Sequence, residues 1–263
     1  MTLSLLIIVP TLNSYLHLSR LVDSLDSQVF LNWNLLFIDG PSSSDHRRWL
    51  KECCALRPRC TWIQQSLYVS GIFGAMNQGF SEGVEADWLL FWGSDDYAAS
   101  SEVLYKIFDF INSQEYVPDL LICKGRYIDP ARDLLARSSV FQPSGLLTAA
   151  SYRCALLLGS TPPHQATLIG LGARARLARY ADCFRLSADL DYFLQLSRFD
   201  DLCVQVIDLE LVHMSSGGIS GQQTHRRLQE VRCAYQRAFG WLWWFPFIAR
   251  YVRRFFSLLH VSL

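Results

Sequence analysis

Net charge is the first thing this sequence lacks. Across 263 residues, 24 Lys and Arg balance 24 Asp and Glu, so no global field draws the chain to nucleic acid, and none is expected as a partner. No CxxC pair occurs among the eight cysteines, and two of them, Cys53 and Cys54, are adjacent. That pattern fits neither a zinc site nor a disulfide-dense secreted scaffold, so buried, reduced thiols are expected. No uncharged apolar run reaches the roughly 18 residues of a membrane span. The opening MTLSLLIIVPTLNS lacks the basic flank and cleavage site of a secretory signal, which points to the cytoplasm. Neither an internal repeat nor a low-complexity tract is visible. Charged residues are scarce, at 18%, and apolar ones make up 51%, which excludes a disordered chain and supplies one large core.

Short apolar runs at 5–9, 35–38, 88–92, 120–123 and 204–207 do not alternate with polar residues. They read as strands buried on both faces, as a helix-covered parallel sheet requires. Between them the spacing predicts helices over 15–27, 45–56, 72–82, 102–111, 190–197 and 222–239. The first has Ser14 as N-cap and one apolar face at 18, 21, 22 and 25. Strand and helix alternate from the start, so an α/β fold with a mostly parallel central sheet flanked by helices is expected. The stretch 126–163, with Pro130, Pro143, Pro162 and Pro163, predicts loops or a short antiparallel excursion.

In an open parallel sheet the ligand lies beyond the carboxyl ends of the strands. Here those ends read VPTLN (9–13), IDGPSSSD (38–45) and WGSDD (92–96), so adjacent strands would deliver Asp39, Asp95 and Asp96 to one edge. Such carboxylates repel one another unless a cation or hydrogen-bond donors neutralise them, and a hard divalent ion shared with substrate phosphates is the usual solution. Taken singly, each aspartate is also an ordinary turn or helix-cap residue.

Together these blocks resemble the family 2 glycosyltransferases of GT-A fold. IIVPTLN is similar to the family's first strand, and LLFIDGPSSSD to its second. GIFGAMNQGF (71–80) resembles the segment GIYDAMNKGI of one bacterial branch, and LLFWGSDD the strand carrying the DXD motif. PPHQATLI followed by SADLDYFLQL resembles the HQ strand and AD-x-D helix start, and SSGGIS (215–220) a closing glycine-rich loop. The resemblance implies transfer of a sugar from a nucleotide-diphosphate sugar to a glycan or lipid-linked acceptor in cell-surface polysaccharide synthesis. Transfer would invert the anomeric centre in a single displacement, with Mg2+ or Mn2+. It assigns donor binding to Pro10, Thr11, Asn13, Asp39, Gly71, Asn77, Ser94 and Asp95, and the metal to Asp95 with Asp96. Asp189 is the implied general base, and His164, Gln165 and Asp191 line the acceptor pocket, Asp191 alternatively capping its helix. His213 and His225 are further candidates for contact with diphosphate or metal. Two departures stand out: Gly93 replaces the first DXD carboxylate, and Gly74 replaces the branch's aspartate. They keep in view a catalytically impaired nucleotide-sugar-binding relative.

A rival motif is LIGLGARA (168–175), which fits G-x-G-x-x-A and would suit an NAD-dependent oxidoreductase. The chain divides by composition into 1–240, the catalytic domain, and a tail, 241–263, with Trp241, Trp243, Trp244 and arginines at 250, 253 and 254. As a helix the tail sets its arginines on one face. Two readings stay open: a helix lying in a membrane interface with arginines toward anionic lipid, at the inner face of the cell membrane, or a helix packed on the domain or on a second copy.

Overall fold

The computed structural model describes residues 3–68, 70–129, 134–215 and 223–259. The first strand, β1 (Leu5–Thr11), pairs in parallel with β2 (Trp33–Asp39) on one side and β4 (Trp88–Phe91) on the other, and β3 (Cys60–Gln64) extends the sheet beyond β2. The register sets Thr11 opposite Asp39. The complete order is β3-β2-β1-β4-β9-β6-β10-β5, where β5 is Tyr97–Ala98, β6 Leu120–Asp129, β9 Thr167–Gly170 and β10 Val204–Ser215. The expected parallel arrangement is that of the first four strands. Beyond them β9 runs antiparallel to both β4 and β6, so the sheet as a whole is mixed.

Helices cover both faces because successive side chains of each strand point opposite ways. Leu5, Ile7 and Val9 of β1 join one apolar layer with α1 (Tyr15–Asp26), α2 (Ser44–Leu56) and α4 (Val103–Ser113). Ile8 joins the other, with α3 (Gly71–Glu82), α5 (Ala149–Leu157), α7 (Ala188–Leu196) and α8 (Thr224–Phe239). Ser14 does occupy the N-cap position of α1, but its side chain makes no cap bond.

The stretch expected to be loops or an antiparallel excursion contains both antiparallel strands and a helix. β7 (Leu134–Ser139) pairs with β6, and β8 (Gly145–Leu147) with β10. Helix α5 was not legible because AASYRCALL mixes small, polar and apolar residues; Thr148 starts it by accepting from the Ser151 N–H. LIGLGARA spans β9 and the six-residue α6 (Leu171–Arg176). An antiparallel strand cannot open a βαβ unit, and a Cβ on Gly172 would fall 1.7 Å from the Asp119 carboxylate, so no pyrophosphate fits there. The oxidoreductase reading loses its support.

The tail forms α9 (Trp244–Leu259), packed on α5 and α8. Two of its arginines bond the domain, as one of the two open readings expects. Arg250 donates to Thr161 Oγ1 at 2.7 Å and Arg253 to Gln142 Oε1 at 3.2 Å. All eight cysteines are free; Cys53, Cys60 and Cys123 are buried as expected, but Cys154, Cys183 and Cys233 are exposed.

Candidate active site

The carboxyl end of β2 carries Asp39, fully buried. Thr11 Oγ1 donates to its Oδ1 at 3.2 Å and Ser42 Oγ at 2.6 Å, while Arg47 Nε donates to Oδ2 at 3.4 Å. His46 Nε2 lies 3.1 Å from Oδ1, and burial holds this imidazole below its ordinary pKa against the pull of Asp39. Asn13, with φ of 50°, follows Pro10 and Thr11 into this cluster. Its N–H donates to Ser42 Oγ and its Oδ1 accepts from the Ser43 N–H. The ends of β1 and β2 are thus one hydrogen-bonded unit.

Beyond β4 the chain turns through Gly93, Ser94, Asp95 and Asp96. Asp96 is buried and accepts from the Gly93 N–H at 2.6 Å. Burial, reinforced by the charge of Asp95, pushes its carboxyl up to about 7. A Cβ on Gly93 would lie 3.1 Å from Asp95 Oδ1 and 3.2 Å from Asp96 Oδ2. The position that lost its carboxylate is therefore the one both remaining carboxylates crowd. Two hard oxygen donors whose repulsion a cation would relieve fit a divalent ion such as Mg2+ or Mn2+. Asp95 itself is half-buried, and its carboxylate has no hydrogen-bond or ion-pair partner among the described residues; only its carbonyl is engaged, by Ser215 Oγ.

The turn His164–Ala166 lies against this same strand end. Trp92 Nε1 donates to the Gln165 carbonyl at 3.0 Å, and the His164 ring stacks on Phe91 with centroids 5.7 Å apart. His164 Nε2 is 2.7 Å from the Tyr180 hydroxyl. Burial lowers the His164 pKa, partly offset by the negative charge of Asp189 nearby, which brings the start of α7 to this cluster. Asp189 sits in the first turn of α7, where the helix dipole favours an anion, and its carboxylate is uncommitted among the described residues.

Several candidates turn out to be occupied. Asn77 donates to the Tyr180 carbonyl at 3.0 Å and accepts from the Tyr180 N–H at 2.7 Å, so its amide clamps the residue that holds His164. Asp191 does not cap α7, whose N-cap is Ser187. It is buried, with Oδ2 accepting from Arg237 Nη1 at 2.6 Å and Oδ1 from Gln195 at 3.2 Å. Gly71 begins α3 at φ of 77°, a conformation that favours glycine. His213 Nε2 is 2.7 Å from Glu210 Oε1, and its ring packs edge-on against Tyr97, so that nitrogen is already committed. His225 stands exposed on the first turn of α8. Residues 216–220 of the closing loop lie outside the described residues.

Sequence reasoning missed Tyr180, Glu230 and Arg237. Glu230, nearly buried on α8, accepts from the backbone N–H groups of Arg185, Leu186 and Ser187 at 2.7–3.1 Å, the residues just before α7. A glutamate four residues after Arg226 reads locally as a surface ion pair, and nothing near it in sequence announces the longer reach.

Two cavities, of about 710 and 510 Å³, are lined by none of the candidate residues. The first lies between β6, β10 and α5, the second between α8 and α9.

The chain is 27% identical over 186 residues to the PGL/p-HBAD biosynthesis glycosyltransferase of Mycobacterium tuberculosis. That match covers 71% of this chain, which spans 66% of the length of the curated relatives it matches. Among solved structures it resembles Staphylococcus aureus TarS 1-349 in complex with UDP-GlcNAc, with TM-score 0.68 and 16% identity, over 90% of this chain and 68% of that one. It also resembles M. tuberculosis glucosyl-3-phosphoglycerate synthase in complex with Mn2+, UDP and phosphoglyceric acid, with TM-score 0.62 and 13% identity, over 90% of this chain and 78% of that one. The fold is that of the GT-A glycosyltransferases. The model of Glycosyl transferase family 2 matches residues 6–153, more than half of the sequence, and the chain belongs to that family.

Proposed function

We propose that this protein is an inverting glycosyltransferase that moves a sugar from a nucleotide-diphosphate sugar to a glycan or lipid-linked acceptor, with Asp189 as general base. One observation carries the reading. Of five aspartates near the strand ends and α7, Asp39, Asp96 and Asp191 are committed to internal partners, whereas the carboxylates of Asp95 and Asp189 have none among the described residues. Those two are the ones the chemistry needs uncommitted.

The buried unit of Thr11, Asn13, Ser42 and Asp39 supplies a rigid wall at the end of β1 and β2 for the nucleoside, with Pro10, Gly71 and Ser94 along its rim. Asp95, with Asp96 behind it, would hold Mg2+ or Mn2+. When bound, that ion neutralises charge growing on the departing diphosphate. It has no self-sufficient cage here, since no cluster of three His, Cys, Asp or Glu side chains gathers among the described residues, and donor phosphates would complete its ligands. The solved relative bound to Mn2+ and UDP supports the same combination.

As the acceptor oxygen bonds to the anomeric carbon, the bond from that carbon to the diphosphate oxygen breaks, and its electron pair leaves with the nucleotide. The acceptor's proton passes to the Asp189 carboxylate. An acceptor hydroxyl ionises far above neutral pH, so this transfer is worth about 10²- to 10⁴-fold in rate. The ring of His164, held by Tyr180 and Phe91, walls the space beside Asp189, with Gln165 next to it. Such an enzyme would work in the cytoplasm, and at the inner face of the cell membrane where its acceptor is lipid-linked. We assign residues 1–240 to the catalytic domain and 241–263 to a tail that brings it to that surface.

A thermal-shift screen of UDP-, GDP- and dTDP-sugars with and without Mn2+ tests the donor assignment. Metal-dependent stabilisation by one nucleotide class is expected, about 2.7 kcal/mol at a hundredfold excess over Kd. Stabilisation by none of the three would overturn it.

A further inference from the structure

Helix α9 is amphipathic the wrong way round for a surface helix. Arg250 bonds Thr161 and the exposed Arg253 reaches back to Gln142, both on the domain, and Pro246 is buried. The outward stripe is apolar: Trp244, Phe245, Ile248 and Val252 lie within about 100° of one another around the helix and are 40–54% exposed. Trp241, just before α9, is 79% exposed. The helix is nonetheless firmly seated, since Gly159 lies so close that a Cβ there would be 2.4 Å from the Arg250 backbone nitrogen. An apolar groove lined by Leu228, Phe247, Ile248 and Tyr251 continues the stripe onto α8.

Charge says what covers this stripe. Arg237 pairs with Asp191, and Arg250 and Arg253 bond the domain, which leaves Arg226, Arg227 and Arg232 of α8 to set the charge of this face against one acidic residue, Glu230, itself paired with Arg226. Arg226 and Arg232 are exposed on α8, and Arg232 stacks over Trp243 at 4.6 Å. A second copy docking by the same stripe would oppose two such basic segments, because a two-fold interface sets each patch against itself. An anionic lipid surface complements them instead. No helix among the described residues is long and apolar enough to cross a membrane.

We infer that α8 and α9 form a docking face for an anionic phospholipid bilayer, on which α9 lies in the plane of the interface. Trp241, Trp244, Phe245, Ile248 and Val252 enter at headgroup depth, and the arginines of α8 meet lipid phosphates. Such a helix is held to the domain by its arginines and to the membrane by its aromatics. Through Glu230 and Arg237, α8 also holds the helix that carries Asp189, so the docking face and the base sit on adjoining helices.

The test is co-sedimentation of the full chain with vesicles of phosphatidylglycerol and phosphatidylcholine, against phosphatidylcholine alone, at low and high salt. Partitioning onto the anionic vesicles is expected, at least about tenfold stronger than onto neutral ones and weakened by salt. Ile248→Ser with Val252→Ser changes only exposed side chains and should lower partitioning at least about tenfold, with an unchanged circular dichroism spectrum. Absence of partitioning would overturn the inference, as would partitioning indifferent to that double change. A dimer by light scattering that disperses on Ile248→Asp, without vesicle binding, would assign the face to a second copy instead. Sedimentation needs no nucleotide sugar, so a chain that partitions but neither binds nor transfers sugar would fault the catalytic assignment alone.

Discussion

The two halves of the sheet hold their carboxylates by different means. In the first half, Asp39 is fixed by near neighbours: Ser42, His46 and Arg47 follow within eight residues, and Thr11 comes from the paired strand. In the second, the helix of Asp189 is fixed from afar, by Glu230 and Arg237 on α8, more than 40 residues on. The donor side is thus a local construction and the base side a tertiary one. Perturbing α8 should damage the second without touching the first.

The largest effect is expected at the chemistry itself. Asp189→Asn should retain donor affinity and lose about 10²- to 10⁴-fold in kcat, or about 3–5 kcal/mol of transition-state stabilisation. Unchanged turnover would remove Asp189 from its role. Arg237→Ala leaves Asp191 buried without its cation and should cost about 3 kcal/mol of folding stability. That is the low end for a broken buried pair, because Arg237 is itself 41% exposed. Asp191→Leu with Arg237→Met should recover much of this loss in chemical denaturation, which separates a structural pair from an acceptor contact.

Glu230→Gln sharpens the comparison most directly. Oε2 accepts from all three backbone N–H groups and Oε1 from the Arg185 N–H and Arg226 Nε, so the amide would set a donor against those two at about 1–3 kcal/mol. Expected is a fall in kcat with the donor KM unchanged; a rise in donor KM instead would show that the halves are not separable. The converse is Thr11→Val, which deletes one donor to Asp39 and should cost about 1 kcal/mol, seen as weaker donor binding at nearly constant kcat.

The smallest effect is one of pH. His164, facing Tyr180, Phe91, Phe193 and the charge of Asp189, has a folded-state pKa below its ordinary value. The unfolded chain then binds the proton more readily, so the contribution of this group is present above about pH 6.5 and is lost as pH falls below it. Melting curves of His164→Gln should accordingly decline less between pH 7 and 5 than those of the unchanged protein, and parallel declines would exclude the histidine.

Pattern reading succeeded where the chain is locally consistent. The runs at 5–9, 35–38 and 88–92 are strands because uninterrupted apolar residues suit a sheet covered on both faces. The helix predicted over 15–27 is α1, its stripe of Leu18, Leu21, Val22 and Leu25 buried. It failed where burial is shared among small and polar residues, as in α5, and it did not show the ion pair that Asp191 makes with Arg237. For the tail it left two readings open, since helical spacing gives which residues share a face but not which face meets the domain.

The sequence by itself determined the buried strands at 5–9, 35–38 and 88–92, the helices between them and the delivery of acidic residues to the strand ends, because periodicity and turn chemistry act over a few residues. Only tertiary structure decided which of those carboxylates stay free among the described residues, that α8 holds the helix of the base, and that Arg250 and Arg253 bond the domain. Those outcomes depend on partners tens of residues away, and no local pattern records what a distant helix will bring.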